Sequence, residues 1–531
     1  MCHQGVSEPQ NRLDRAIYHF ADEPRCLGLV CGHCDENFQG LVLGFYKTRE
    51  VNQRTSHSMS TFSLQGNKIA KKRLEECEAN PSALQGFGEV VMFGGDLAPR
   101  FLSLLPYFTG MTALSMYMRP AQLFPIPNSW EKAQWPPVVH LTLNLWNEMT
   151  HILVQSLQPT LERLVVQTHV AKDAKINKLL PGCTRLEHLT ISYLDFWSTP
   201  FGFLPPTVRS LKVEVECEHI MTMTAEMPAL THLEVFFPDP ETEILFAWLG
   251  KLVGLKSLVV LTEDPMNNDD AEKGMFHLRS LTQLTALELK DCSAVDAVVE
   301  VLPSLPALRQ LRGAFDISSS PQCFATGLAN MAGRLTQLYL GQKAVHTLQE
   351  VHLEALMTCP LTHLRCRVAD VEGIWSLLLP HWSLELLDVM VAPTYFHGFL
   401  RAWSKAFGGQ DKLETLALNT PDDYWPITSD DMTLWATLVS DLPALKTLTL
   451  PPSQSVEDVD VSPLWEALLA LPQWYQANWK VEDGWDEDSW EWMWTAPRAV
   501  VVNVNPVYMD AHYANSRKHV SLQKLAAHFV L

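Results

Sequence analysis

A short phrase of six residues, apolar-x-x-Leu-x-apolar, recurs fourteen times along this chain of 531 residues. Two of its forms read LTALEL and LKTLTL, and Gly replaces the last apolar residue once, in LRQLRG. Successive phrases begin 22 to 32 residues apart, and all but one of these gaps are 29 residues or shorter. Fourteen ordered copies at one spacing indicate an array of structural repeats. The phrases begin at Met111, Val138, Leu161, Leu186, Val208, Leu230, Leu255, Leu284, Leu308, Leu335, Leu361, Leu384, Leu413 and Leu445.

Each phrase has the pattern of a short β-strand with one buried face. Apolar residues two apart, such as Leu287 and Leu289, point to the same side of a strand, and the residue between them points to the other side. A single strand of this length cannot bury its apolar face alone, so neighbouring copies are expected to stack in parallel.

Several segments between the phrases have the pattern of amphipathic helices. EILFAWLGKL (243–252), TLWATLVSDL (433–442) and PLWEALLAL (463–471) each place their large apolar side chains on one stripe of a 3.6-residue period. Repeated strand and helix units close as a curved solenoid, with the wider helices on the convex side and the sheet on the concave side.

The repeat period and the phrase resemble those of leucine-rich repeat proteins, which carry Asn or Cys at the ninth position. Only Cys292, in LTALELKDCSAV, clearly matches that position here. The resemblance implies an α/β fold, a leucine-rich repeat solenoid of about fourteen repeats over residues 81–455.

The rest of the chain divides into three parts. Residues 10–45 form a small helical segment by their pattern, and residues 46–80 are polar and predict a connector. Residues 456–531 are rich in Trp and acidic side chains. We expect this end to cap the solenoid, since an open end exposes apolar surface. The alternative is an aromatic, acidic docking surface for a basic partner.

Three cysteines and a histidine lie close together at Cys26, Cys31, His33 and Cys34. The spacing of the cysteines is formally the beginning of an iron–sulfur pattern. The alternative is a helix, because Leu27, Val30 and the last two cysteines share one helical stripe and free cysteine behaves as a small buried hydrophobe. The helix is the preferred interpretation, and we expect neither a metal nor another cofactor.

The stretch RLDRAIYHFADEPRCLGLVCGHCDENFQGLVLGFYKTREV resembles the F-box motif of fungal F-box/leucine-rich repeat proteins, with a Leu-Val-Cys signature at residues 29–31. The resemblance covers residues 12–120 in order. It implies a substrate-recognition subunit of a cullin-RING ubiquitin ligase, with a Skp-type adaptor as partner. The alternative is that this segment only forms a helical cap. The residues that would face the adaptor are Leu13, Ile17, Phe20, Pro24, Leu27, Val30 and Cys31.

Composition restricts the remaining classes. A formal net charge of −20 disfavours nucleic acid and anionic membrane as main partners, because both would be repelled. The eleven cysteines are scattered and show no disulfide framework, and no long apolar run occurs, so we expect a cytoplasmic or nuclear protein. No phosphate-binding loop, dinucleotide motif, nucleophile elbow or His-Glu-x-x-His motif is present, so we expect no enzyme.

The outward positions of the ninth to eleventh phrases predict a binding site on the concave sheet. These third, fifth and seventh positions become basic and aromatic there, and strands about 4.8 Å apart would bring them together. Arginine suits carboxylate or phosphate, which predicts an acidic or phosphorylated protein target. The alternative is that the neighbouring acids Glu288 and Asp388 neutralise the patch. The predicted site is Arg312, Tyr339, His363, Arg365 and Arg367, flanked by Gln310 and Gln337.

Overall fold

A computed structural model gives the structure of most of the repeat region. The predicted F-box-like segment, with all seven of its adaptor-facing residues and the Cys26–Cys34 cluster, lies outside the described residues. So does most of the Trp-rich end. The described residues are 60–64, 68–93, 98–118, 126–127, 130, 134–167, 176–191, 204–214, 227–237, 242–262, 273–290, 294–341, 346–368, 378–391, 398, 400–403, 410–419, 428–453, 462–471, 476–481, 492–495 and 501–504.

All fourteen phrases form β-strands, and each strand begins two residues into its phrase. Among the described residues, six further strands lie outside the phrases: β1, β2, β13, β18, β19 and β20. The strands are β1 (Ser60–Leu64), β2 (Phe87–Phe93), β3 (Ala113–Tyr117), β4 (His140–Leu143), β5 (Arg163–Val166), β6 (His188–Ile191), β7 (Ser210–Glu214), β8 (His232–Phe237), β9 (Ser257–Thr262), β10 (Ala286–Leu289), β11 (Gln310–Gly313), β12 (Gln337–Leu340), β13 (Thr347–Leu348), β14 (His363–Val368), β15 (Leu386–Val391), β16 (Thr415–Asn419), β17 (Thr447–Ser453), β18 (Gln476–Val481), β19 (Trp492–Thr495) and β20 (Val501–Val504).

The strands form one open sheet in which each repeat pairs with the next in parallel. The pairing runs from β1 to β12, continues through β14 to β18, and adds β20 beside β18. β13 pairs with the far end of β14, and β19 joins β20 antiparallel. One carbonyl in each repeat accepts two consecutive N–H groups of the next: Thr285 O accepts from the N–H groups of Arg309 and Gln310 at 2.8 and 3.0 Å. These bonds fix the register between repeats.

Helices and short 3-10 turns return the chain from one strand to the next. The three segments predicted as helices are confirmed by α5, α9 and α10. Some of the other connections contain 3-10 turns, four of which begin with Leu-Pro. The helices are α1 (Lys68–Ala79), α2 (Ala98–Leu104), α3 (Glu148–Leu157), α4 (Ile176–Leu179), α5 (Thr242–Leu249), α6 (Val295–Val301), α7 (Pro321–Ala329), α8 (Glu350–Leu356), α9 (Ser429–Ser440) and α10 (Ser462–Ala470).

The core lies between the sheet and these connections. In the phrase LTALEL the apolar residues Leu284, Leu287 and Leu289 are each at most 2% exposed, and the same positions are buried in the other repeats except at Gly313. Burying one such side chain stabilises the fold by about 1.5–3 kcal/mol. The residues between them remain accessible on the opposite face, which we call the open face of the sheet. The fold is therefore the predicted leucine-rich repeat solenoid, with the sheet on the concave side.

The sheet extends beyond the predicted repeats at both ends. Residues 46–80 were expected to be a polar connector, but their described part contains β1 and α1, and Leu74 of α1 is fully buried. β1 has no leucine phrase; it is a strand because it pairs in parallel with β2. At the other end β18 continues the parallel sheet from β17. Whether residues 456–531 act as a cap stays a prediction.

Candidate partner-binding site on the open face

The predicted patch is assembled by the register of five strands. Strand pairing places the fifth phrase positions opposite one another, from β10 to β15. Neighbouring members are one strand apart, about 4.8 Å. We call this line of side chains the charged row: it consists of Glu288, Arg312, Tyr339, Arg365 and Asp388.

Arg312 is held against the ring of Tyr339 in the centre of the charged row. Its Cζ lies 4.2 Å from the ring centroid, which is the geometry of a cation–π contact. Its Nη1 lies 3.8 Å from Oε2 of Glu288, and the side-chain amide of Gln310, oriented with its oxygen toward the guanidinium, accepts from Nε and Nη2. The side chain is 40% exposed, so the guanidinium is positioned yet accessible.

Arg365 is anchored at one nitrogen by a mostly buried carboxylate. Its Nε lies 3.0 Å from Oδ2 of Asp388, whose Oδ1 accepts a hydrogen bond from Nδ2 of Asn419 at 3.0 Å. Burial raises the pKa of Asp388, opposed by Arg365 and by the hydrogen bond from Asn419. The Arg365 side chain is 48% exposed against 16% for Asp388, so the arginine is the accessible member of the pair. An arginine guanidinium carries five N–H donors in a rigid fork. The contact with Asp388 uses the N–H on Nε of Arg365.

His363 lies beside this row on β14, and a neighbouring hydroxyl holds its ring. Oγ1 of Thr362 lies 3.2 Å from the carbonyl oxygen of Thr336 and 2.9 Å from Nδ1 of His363. Burial lowers the pKa of His363; Glu385 opposes this effect and Arg312 adds to it. The imidazole is therefore neutral at neutral pH.

The seventh-position member, Arg367, lies one step further along β14. It pairs in register with Thr347 of β13 and Met390 of β15, and its side chain is half-buried. The structure thus places all five predicted site residues on one part of the open face. That they bind a partner stays a prediction.

The two neighbouring acids do pair with arginines of the patch, as the alternative interpretation expected. Three arginines lie beside these two carboxylates, and the further carboxylate Glu385 lies near His363. The Arg312–Glu288 pair is loose and partly exposed, and exposed pairs are worth only about 0–1 kcal/mol. Asp388 is mostly buried, so its pair with Arg365 is the firmer of the two. A partner's carboxylate or phosphate would therefore displace Glu288 from Arg312 at small cost and contact the exposed part of Arg365.

Sequence reasoning missed Asn419 as a support of the charged row, although it occupies an outward phrase position on β16. Gln310 was named beside the predicted site, and the structure adds its bond to Arg312.

Other functional sites are restricted by two absences. Among the described residues, no three His, Cys, Asp or Glu side chains form a group that could hold a metal ion. Within the same ranges, no helix is long and apolar enough to cross a membrane.

Comparison with known proteins yields weak structural likenesses. No protein-family model and no curated protein matches the chain. A crystal structure of an internalin from Listeria monocytogenes matches at 15% identity and a TM-score of 0.30, covering 77% of this chain and 92% of that one. The mouse RP105/MD-1 complex matches at 12% identity and a TM-score of 0.30, covering 75% and 62% of the two chains. Likeness at this level carries no functional argument, and the fold assignment rests on the strand register described above.

Proposed function

We propose that this chain is a protein-binding solenoid that holds an acidic or phosphorylated segment of its partner on the charged row. The observation that supports this function is the Arg312–Tyr339–Arg365 arrangement, in which two half-exposed guanidinium groups flank an aromatic ring on adjacent strands. Tyr and Arg are the side chains most enriched in interface hot spots. An arginine fork also matches the geometry of carboxylate and phosphate groups.

The proposed role of this binding is substrate recognition for a cullin-RING ubiquitin ligase. The support is the resemblance of residues 12–120 to F-box proteins, which supplies a way for the chain to join a Skp-type adaptor while the solenoid holds the target. The alternative is a leucine-rich repeat scaffold that binds a protein partner without any link to a ligase. Both versions use the same open face, so the binding surface and the ligase link need separate tests.

The binding surface is tested with a display library of acidic and phosphorylated peptides. Peptides selected on the wild-type chain are titrated against an Arg312→Ala, Arg365→Ala, Arg367→Ala variant. We expect affinity to fall by about tenfold or more, since each lost charge-assisted bond is worth about 1.5–3 kcal/mol before competition from Glu288 and Asp388 is subtracted. The salt dependence of binding should also weaken.

A charge-matched control separates the surface from the net charge. Lys251, Lys256 and Arg279 are exposed and lie outside the charged row, so their triple alanine variant removes the same charge elsewhere. This control should bind like the wild type. Unchanged affinity and salt dependence in the patch variant would reject the proposed surface.

The ligase link is tested by co-expression with a Skp-type adaptor. Ile17→Asp with Val30→Asp should abolish co-purification of the adaptor and leave the thermal unfolding of the repeats unchanged. A control variant with Asn11→Asp and Gln39→Asp introduces the same charge at polar positions and should retain the adaptor. If the wild-type chain does not capture the adaptor, the scaffold alternative replaces the ligase proposal, and the peptide result is unaffected.

A further inference from the structure

A second line of side chains on the open face lies on strands that the charged row does not use. The third phrase positions of β4 to β8 are paired strand to strand, so they form one continuous line. Its three histidines are exposed. We call this line the histidine row: it consists of His140, Arg163, His188, Ser210 and His232.

The histidines of this row are close enough to influence one another's protonation. Burial lowers the pKa of His188, and the positive charge of Arg163 lowers it further, as do His140 and His232, against an opposing effect of Glu187. At neutral pH the imidazole of His188 is therefore uncharged. Imidazoles take up protons in mild acid, so acid adds positive charge beside the permanent charge of Arg163.

A neighbouring hydroxyl holds the ring of His232. Oγ1 of Thr231 lies 3.2 Å from the carbonyl oxygen of Arg209 and 2.8 Å from Nδ1 of His232. These contacts orient the ring on the open face of the sheet.

The carboxylates around the row are already matched by cations other than the histidines. Glu162 forms an ion pair with Arg185, Glu187 lies 3.9 Å from Arg209, and Glu234 lies 2.6 Å from Lys212. Glu214 lies at the other end of β7, about two residue pairs away. Glu187 also favours the charged form of His188, so an acidic segment would add to the effect of Glu187 when the row is protonated.

The distance between successive histidines indicates which backbone conformation of an acidic segment would fit them. Successive histidines lie two strands apart, about 9.6 Å. A polyproline II segment has three residues per turn and rises about 3.1 Å per residue, so every third side chain shares one face at about 9.3 Å intervals. An extended strand presents one face every second residue, at about 6.7 Å, which does not match.

We propose that the histidine row is a second binding surface, which takes an acidic protein segment in polyproline II conformation and holds it more tightly in mild acid. Carboxylates at every third residue would contact His140, His188 and His232 in turn. The net charge of −20 on the chain favours such a short local contact over binding of a long polyanion such as nucleic acid. This surface does not use the strands of the charged row, because two strand steps, about 9.6 Å, separate β8 from β10, where the charged row begins.

The test uses the full chain and a synthetic, fluorescently labelled peptide with Glu at every third position and Pro between. Anisotropy titrations at about pH 5.5 and about pH 7.5 should show binding about fivefold or more tighter in acid, as expected for two or three added exposed ion pairs. A His140→Gln, His188→Gln, His232→Gln variant should lose this increase. A His277→Gln, His381→Gln variant removes two histidines outside both rows and should keep it.

Three comparison ligands test the conformation and the chemical class of the bound segment. Peptides with Glu at every second or every fourth position should bind more weakly in acid, and equal binding would overturn the polyproline II assignment. Tighter binding of a single-stranded oligonucleotide of equal charge, lost in the same row variant, would overturn the choice of a protein segment. Affinity that does not change with pH, or that survives in the row variant, overturns the site itself, whatever the result for the charged row.

Discussion

The buried histidine of α8 offers a sharp test of the packing between repeats. His352 is fully buried, and its two ring nitrogens bond in opposite senses: Nδ1 accepts from the N–H of Gln349 at 2.9 Å, and Nε2 lies 2.8 Å from the carbonyl oxygen of Pro321. This pattern requires the neutral ring with its proton on Nε2. The first bond caps α8, and the second ties α8 to α7 of the preceding repeat.

Replacing His352 with Ala should destabilise this part of the solenoid by about 3–4 kcal/mol. Losing the cap bond from the N–H of Gln349 costs about 1 kcal/mol, and the loss of the second bond and of the buried ring, packed edge-on against Phe324, adds the remainder. His352→Gln is the conservative control. A glutamine three residues after the cap supplies the same acceptor to the cap N–H, so this variant should recover most of the loss.

The two variants also differ in their pH dependence. Burial lowers the pKa of His352, opposed by the hydrogen bond to Pro321, so below its ordinary pKa near 6.5 the unfolded chain binds the proton more readily. Stability is then lost as the pH falls from 6.5 toward the lower pKa of the folded state, by at most about 1.4 kcal/mol per pH unit. His352→Gln does not titrate and should lack this part of the loss. The contributions of His188 and His363 are common to both proteins and cancel in the difference.

The assay is hydrogen exchange of the α7 and α8 amides, together with urea unfolding from pH 7.5 to 5. Exchange is preferred because long repeat arrays do not unfold in one cooperative step. Faster exchange confined to these two helices in His352→Ala is the expected result. Parallel stability–pH curves for wild type and His352→Gln, or equal damage in both variants, would refute the assignment of a neutral capping histidine.

Three further substitutions test other contacts between repeats. Gln410→Ala should cost about 2–4 kcal/mol in urea unfolding, because its buried amide bonds three backbone groups of the preceding repeat. Gly327→Ala should cost about 1–3 kcal/mol, since the new Cβ would lie 2.7 Å from Cγ2 of Val299; a Val299→Ala change in the same chain should recover part of it. Thr428→Ala should cost about 1 kcal/mol and Thr428→Ser much less, because the hydroxyl caps α9 opposite Asp431; equal losses would contradict the capping role.

The strands were predictable because each phrase carries its own signal. Leucines at positions with a period of two define a strand and its buried face without reference to the rest of the chain. β1 and β13 lack that signal, since their pairing partners rather than their own residues make them strands. The 3-10 connections were not predicted, although Leu105-Pro106 and three similar pairs mark their first residues.

The sequence predicts where the candidate site lies on the sheet, and it predicts only in part how the charged side chains pair. The register of identical phrases brings Arg312, Tyr339 and Arg365 into one row, and the phrase positions alone indicate this. Which acid holds which arginine depends on rotamers and burial. The close contact of Arg365 with Asp388 at 3.0 Å and the looser one of Arg312 with Glu288 at 3.8 Å required coordinates.

The central claim is that a protein partner contacts the open face of the sheet and not the helical side. Site-specific photo-crosslinking measures this directly, with benzoylphenylalanine placed at Tyr339 in one chain and at Phe276 in another. Phe276 is 48% exposed in a 3-10 turn on the helical side, so it is a matched aromatic control. With a peptide selected on the wild-type chain, crosslinks should form from position 339 and not from position 276. Crosslinks from position 276 alone would contradict the account.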